Sequence, residues 1–296
     1  MIPQEFLSIF LLLYFQPHLI YAQQSKTNFE FNLNSFTGVL RKGDDHTPKL
    51  VHELKKHFVN LGYLHPNKLC NETNFDNHLE DAIKQYQEFY SLNVTGVVDI
   101  NMITSLRMPR CGVPDFSNPQ THFKSLYKFM SGTPRWTKRR LAYQMDETVR
   151  ESHKLAIVQA MQAWEAETQF EFHHLPENGH TEPDIKISFE KGEHGDDKPF
   201  SETSVGIAHA FPPPDGRVHF NAHKAWAIDG TWYAFDVFTT ALHELGHILG
   251  LDHSVNIETI MFPGITEGQR KYLNRDDIDG VIALYNLKHR PMRNIF

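Results

Sequence analysis

His243-Glu244-Leu245-Gly246-His247-Ile248-Leu249-Gly250-Leu251-Asp252-His253 reads HExxHxxGxxH. On a helix, positions i and i+4 share a face, so His243 and His247 can aim two imidazoles at one point. Glu244 lies one step round, placed to act on a water held there without being a ligand. Gly250 can adopt a positive φ, which ends the helix and turns the chain back. That turn brings His253 up as a third ligand. Three neutral imidazoles leave a tetrahedral zinc with one open position, the catalytic rather than the closed structural arrangement. Such a zinc lowers the pKa of a water and polarises a carbonyl. The plain alternative is an amphipathic helix with surface histidines. Gly250 and His253 make the longer pattern far more specific than HExxH by itself. Met261 follows in Thr259-Ile260-Met261-Phe262-Pro263, and taken alone it would be an ordinary core methionine.

The 296 residues suffice for two modest domains. Hydrophobic content of 40% with 22% charged residues fits a globular protein. A net charge of −7 argues against nucleic acid as partner. The 19 histidines are a first compositional hint of metal. Near the start, an apolar run from Phe6 to Phe15 is bounded by Pro3 and Pro17 and followed by Ala22. It reads as a signal peptide, residues 1–22, although its first residues carry Glu5 and no Lys or Arg. The run is too short to span a bilayer, and no later stretch is long enough. The end of the chain from Lys288 is polar and basic, without the apolar tail of a lipid-anchor signal. Secretion to the extracellular space or cell wall is therefore expected, with no transmembrane anchor. Asn71-Glu72-Thr73 and Asn93-Val94-Thr95 are glycosylation sequons, consistent with that compartment. The two cysteines, Cys70 and Cys111, could pair there as a disulfide.

Between residue 23 and about 126, the spacing predicts three short helices. Val51, Leu54, His57, Phe58 and Leu61 have helical period, and Gly62 ends the run. Asp76 caps a second helix with Leu79, Ile83 and Tyr86 inward, and Asp99 starts a third with Ile100, Ile103 and Leu106. The three form a small bundle. By itself it is a binding module, and the arrangement resembles peptidoglycan-binding-like domains; a glycan-binding role is one reading of it.

Pro109-Arg110-Cys111-Gly112-Val113-Pro114-Asp115 follows, held extended by its prolines. A thiolate displayed from it is a strong zinc ligand. If Cys111 takes the open position on the metal, it displaces the water and the chain is latent. PRCGVPD together with HExxHxxGxxH resembles the matrix metalloproteinases, the matrixins of the metzincin clan. Ser35-Phe36-Thr37-Gly38 and the Leu-Gly-Tyr-Leu at 61 to 64 look most like the small plant-type members, and no sequence is left for a haemopexin-like domain. The resemblance makes PRCGVPD a cysteine switch, with Arg110 and Asp115 pairing to hold its shape; without it they could be two solvated charges. A Cys70–Cys111 disulfide would remove the thiolate that the switch needs.

What the resemblance implies for the fold is α+β: a three-helix prodomain, residues 23–126, then a zinc-protease domain, residues 127–288, with a five-stranded mixed sheet and three helices. Residues 289–296 form a tail. The strands expected are Leu141 to Met145, Phe170 to Phe172, Ile185 to Phe189, Gly206 to Phe211 and Arg217 to Asn221. Glu147 to Glu167 reads as a long helix, and Asn274 caps a last helix with Asp276 and Asp277 in its first turn. The mature N-terminus falls near Tyr127, freed by autolysis or another protease. The Asp pair complements the helix dipole, and in the family adds a salt link to the freed amino terminus.

The family's site residues follow from the same resemblance. Glu244 is the general base, and His243, His247 and His253 hold the catalytic zinc, with Cys111 as the inhibiting ligand. Met261 lies in the Met-turn beneath the metal. His194, Asp196, His209 and His219 match a structural zinc site, although each histidine alone could be ordinary surface. Ile207 and Ala208 lie on an edge strand that binds peptide by strand addition, and Pro263 and Ile265 wall the pocket beyond the scissile bond. The reading is a monomeric zinc endopeptidase made as a zymogen and acting on protein or peptide substrates. The competing class is a non-catalytic zinc-binding extracellular protein with the same fold, which a replaced Glu244 or ligand would favour. Calcium is where the chain departs from its family. The family's tight site uses backbone carbonyls and three carboxylates, but Ser201, Asn221 and Lys224 stand at the carboxylate positions. Calcium wants about six to eight oxygens, so this site reads as degraded. Asp184 resembles a ligand of a second, weaker calcium site.

Overall fold

A computed structural model describes residues 38–43, 48–71, 73–116, 127–176 and 181–289, without the side chains of Cys70 and Asn71. The 1–22 leader, the 117–126 part of the linker and the tail beyond 289 lie outside the described residues, as do those two side chains. Asn93 is described and exposed.

Three helices come first: α1 (Pro48–Asn60), α2 (Asn77–Phe89) and α3 (Ile100–Leu106). Asp76 and Asp99 begin the second and third as their sequence position suggests. Each carboxylate accepts a first-turn amide, from Leu79 and Met102, at 2.9 Å, which satisfies a group the helix leaves without a partner. The inward faces meet in an aromatic core. The Tyr63 ring lies 5.5 Å from Tyr86 and 5.1 Å from Phe116, tilted towards edge-on, the arrangement that ring quadrupoles favour. Helical spacing gave no warning of Lys55. Its side chain is fully buried and its ammonium meets Asp76 at 2.7 Å, so a charge that burial would make costly is neutralised.

The chain then enters β1 (Arg110–Cys111), β2 (Arg140–Met145), α4 (Glu151–Glu167), β3 (Glu171–His174), β4 (Ile185–Glu190), β5 (Gly206–Ala210), β6 (Arg217–Asn221), β7 (Trp226–Ala227), β8 (Phe235–Asp236), α5 (Val237–Ile248) and α6 (Arg275–Tyr285). One sheet has the order β1-β5-β6-β4-β2-β3, and β7 pairs with β8 in a separate two-stranded piece. Within the large sheet only β5 and β6 are antiparallel. Five of its strands lie after residue 127, matching the expected number. The sixth, β1, comes from the segment that follows α3 and pairs parallel with β5. Without it, β5 would present a row of unpaired amides and carbonyls.

The α4 helix starts at Glu151, four residues later than its apolar period suggests. Asp146 accepts the Thr148 amide at 2.9 Å, and this side-chain turn competes with helix over the intervening residues. α4 packs on α5, and the Trp164 indole donates to the Leu242 carbonyl at 3.0 Å. All twelve residues of α5 are buried, so this helix runs through the core rather than along its surface. No helix among the described residues is long and apolar enough to cross a membrane.

Candidate active site

The α5 helix carries His243 and His247 one turn apart, with Glu244 next to His243. Gly250 ends it with φ at +95°, and a Cβ there would stand 2.5 Å from the Pro134 carbonyl oxygen. Glycine thus meets both the torsion and the close approach. The Leu251 amide closes back on the Gly246 carbonyl at 3.0 Å, and the Asp252 amide donates to the Lys128 carbonyl at 2.9 Å. His253 is thereby carried back to the other two histidines.

Hydrogen bonds fix how the three rings face. His243 Nδ1 lies 2.7 Å from the Ile260 carbonyl, His247 Nδ1 2.8 Å from the Leu251 carbonyl, and His253 Nδ1 3.0 Å from Asp115 Oδ1. Carbonyls and carboxylates accept, so each Nδ1 donates and each Nε2 keeps its lone pair. Those lone pairs converge. His247 Nε2 is 3.2 Å from His253 Nε2 and 3.5 Å from Cys111 Sγ, and the four ligand atoms all lie within 4.8 Å of one another. Tetrahedral zinc with bonds of about 2.0–2.3 Å has ligand–ligand edges of about 3.3–3.8 Å. His243 Nε2 and both Glu244 oxygens are buried without a hydrogen-bond partner. The donor set therefore fits zinc.

Burial pushes His243 and His247 far below the usual imidazole range. It also lowers His253 to about 4 against the pull of Asp115. The rings are neutral, as ligands must be. Burial and neighbouring Glu244 push the Cys111 thiol up, so its thiolate needs a cation beside it. Cys111 is buried and free of any disulfide.

Beneath the histidines, Met261 packs on Gly246. A Cβ on Gly246 would meet Met261 Sδ at 2.2 Å. Gly246→Ala should therefore cost about 1–3 kcal/mol by overpacking and loosen zinc, because Ile260, the His243 acceptor, adjoins Met261. Thermal unfolding and metal content of the zinc-loaded chain check this; wild-type values for both would be contrary. Asp277 supports the same turn. Its carboxylate accepts the Ile260 amide at 2.9 Å and the Met261 amide at 3.1 Å, while also completing a capping box with Asn274. From the sequence, Asp277 complements the dipole in the first turn of α6 and, by resemblance, joins a salt link to the freed amino terminus; nothing in its spacing signals the contact with residues 260–261.

The β1 segment lies between two chain segments beside this cluster. On one side, the Arg110 amide donates to Val205 at 3.0 Å and the Gly112 amide to Ala208 at 2.7 Å. On the other, the Cys111 amide donates to Pro263 at 2.9 Å and the Ile265 amide to Pro109 at 3.0 Å. Ile207, Ala208, Pro263 and Ile265 are all buried under it. Arg110 and Asp115 are paired rather than solvated, with Nη2 to Oδ1 at 2.5 Å and both groups buried.

A second cluster lies across β5 and β6. Asp196 Oδ2 is 3.0 Å from His194 Nε2, 2.6 Å from His209 Nε2 and 2.8 Å from His219 Nδ1. The His209 and His219 nitrogens are 3.3 Å apart. Three imidazoles and one carboxylate are a closed donor set for zinc. The neighbouring loop, by contrast, does not fit calcium. Buried Asn221 donates its amide to the Ser201 carbonyl at 3.3 Å and the Gly206 carbonyl at 3.0 Å. Lys224 Nζ donates to the Glu202 carbonyl at 2.9 Å. These carbonyls already accept from side chains, and an ammonium repels a dication. Asp184 is engaged too, with Oδ1 on Lys138 Nζ at 2.8 Å and Oδ2 on the Ala142 amide at 2.7 Å.

Comparison with known proteins places these features in a family. Residues 135–286 match the Matrixin family, Peptidase_M10, and residues 47–106 match a peptidoglycan binding domain. Metalloendoproteinase 1 of Glycine max is 38% identical over 255 residues, covering 81% of this chain and 83% of that protein. Metalloendoproteinase 2-MMP of Arabidopsis thaliana is 36% identical over 267 residues, with 79% and 70% covered. Stromelysin-1 of Rattus norvegicus is 37% identical over 213 residues, with 69% and 42% covered. An HExxH helix whose histidines converge with buried lone pairs, carried in a matching domain, leads to one assignment: the chain belongs to the matrixins and is a metalloendopeptidase of that type.

Proposed function

We propose that the chain is a secreted endopeptidase made as a latent zymogen, residues 23–126 being its prodomain and 127–288 its catalytic domain. The observation that carries this is the position of Cys111 Sγ, 3.5 Å from His247 Nε2 on a segment that fills the β5 edge. Once that segment leaves, β5 at Ile207 and Ala208 and the strip from Pro263 to Ile265 accept an extended substrate by strand addition. Zinc held by His243, His247 and His253 supplies Lewis acidity to the scissile carbonyl and to a water. Glu244 takes the proton of the attacking water and delivers one to the leaving nitrogen. Tyr127 packs on Gly280 of α6, the helix whose first turn carries Asp276, which supports a salt link from the freed amino terminus to that carboxylate. Treating the full chain with a thiol-modifying reagent should produce activity on a quenched peptide before any backbone cut. A chain fully latent after Cys111 is modified would refute the zymogen reading.

The metal inventory in this reading is one catalytic zinc, one structural zinc at His194, Asp196, His209 and His219, and no tight calcium. The Lys224 ammonium and the Asn221 amide hold the 201–206 loop instead. Melting temperature should be the same in excess EGTA and in millimolar calcium, with two zinc ions retained by metal analysis. A large calcium-induced rise would show that the loop still binds the ion.

A further inference from the structure

The three histidines of the catalytic cluster do not share one kind of support. His243 and His247 donate to the carbonyls of Ile260 and Leu251, in the region after residue 127. His253 donates to a carboxylate from the switch segment, Asp115, at 3.0 Å, with both side chains fully buried. Among the described residues, Asp115 is the acceptor that His253 Nδ1 has.

Asp115 is itself held tightly. Its oxygens also accept from Arg110 Nη1 at 2.9 Å, Arg110 Nη2 at 2.5 Å, Tyr63 Oη at 2.8 Å and Tyr90 Oη at 3.3 Å. Its amide donates to the Leu61 carbonyl at 2.9 Å. Tyr63 follows α1 and Tyr90 closes α2, so the helical bundle determines where this carboxylate sits. Every group on its two oxygens is a donor, and the guanidinium meets both of them, so Asp115 serves as an acceptor; a carboxylate behind a ligating imidazole fixes the ring and raises its basicity more than a neutral carbonyl does.

We propose that Asp115 is a positioning residue for the catalytic metal: in the latent chain it supplies the carboxylate behind His253, and it departs with the prodomain. The inference rests on the zymogen reading and goes beyond it. Release of the switch removes two groups from the centre, the Cys111 thiol at the open position and the acceptor of one ligand. The latent chain therefore holds zinc more firmly than thiol ligation alone accounts for, and the prodomain assists metal loading as well as blocking the cleft.

The test uses the full chain with ¹⁵N-labelled histidine for NMR, and its cobalt(II) form for optical spectra. In the zinc-loaded latent chain, the His253 Nδ1–H proton should lie downfield of those of His243 and His247, whose acceptors are neutral. Asp115→Asn should move that resonance alone, and zinc loss to a chelator should quicken about 10–100-fold. The thiolate-to-cobalt charge-transfer band should persist, because Arg110 still contacts the carbonyls of Cys111 and Val113. A misfolded or displaced switch would lose the band, which separates positioning from mere structure. If the variant does not fold, the wild type still decides: removing the prodomain should shift the His253 signal and leave the other two in place. An identical His253 signal in latent and mature protein, or zinc loss unchanged in Asp115→Asn, overturns the proposal while leaving latency intact. A wild-type latent chain without the charge-transfer band overturns the zymogen reading and this inference with it.

Discussion

Glu244→Gln should keep its zinc and lose about 10²–10⁴-fold in turnover, the usual worth of general acid–base help. Glutamine matches glutamate in size, and α5 buries position 244 completely, so helix and ligands should stay in place. What is lost is the capacity to take a proton. In the closed site, burial pushes the Glu244 carboxyl up to about 8, against the pull of Cys111 and Lys198. Cys111 is the neighbour on the zinc side of this carboxylate, so on the zymogen reading its release leaves the Glu244 oxygens to engage a water. The measurement is turnover of a quenched peptide by the processed enzyme, beside zinc content. Near-normal turnover at full zinc would remove Glu244 from the proposed mechanism.

On the zymogen reading, Cys111→Ser should give a chain that cleaves peptide before processing. A serine hydroxyl is a far weaker zinc ligand than a thiolate, since it does not ionise near neutral pH. The four backbone hydrogen bonds that hold residues 109–112 between β5 and residues 263–265 remain available. They compete with substrate for the edge, so the variant should be partly rather than fully active. Full processing should then raise activity further. A variant as latent as the wild type would show that backbone occupancy, not the sulfur, keeps the site closed.

Much of the centre was legible locally. The positions of His243, His247 and His253 follow from helix periodicity and one glycine. The caps at Asp76, Asp99 and Asn274 were readable because an N-cap depends on a residue and the three that follow it. The missed contacts at the site and in the helical bundle are relations between distant segments. Asp115 meets His253 across 138 positions and Asp277 meets Ile260 across 17. Lys55 pairs with a cap 21 residues away. The four-residue error at the start of α4 has a different origin, a local side-chain turn that apolar spacing does not register.

For calcium, the sequence and the fold supply different kinds of support for the proposed loss of the site. Replacing carboxylates by Ser201, Asn221 and Lys224 predicts weak binding from charge alone. Only the folded loop shows the Asn221 amide and the Lys224 ammonium on the carbonyls themselves.

By itself the sequence determined the metal chemistry, because ligand identity and i, i+4 spacing are properties of a short helical stretch. It also determined the family, which rests on two motifs of fixed order. Tertiary structure alone decided that β1 occupies the β5 edge in parallel, that Met261 rests on Gly246, and that the Asp115 carboxylate stands behind His253. Each of these depends on which side chains meet when separate hydrophobic faces are buried together, and burial is a property of the whole chain rather than of any window within it.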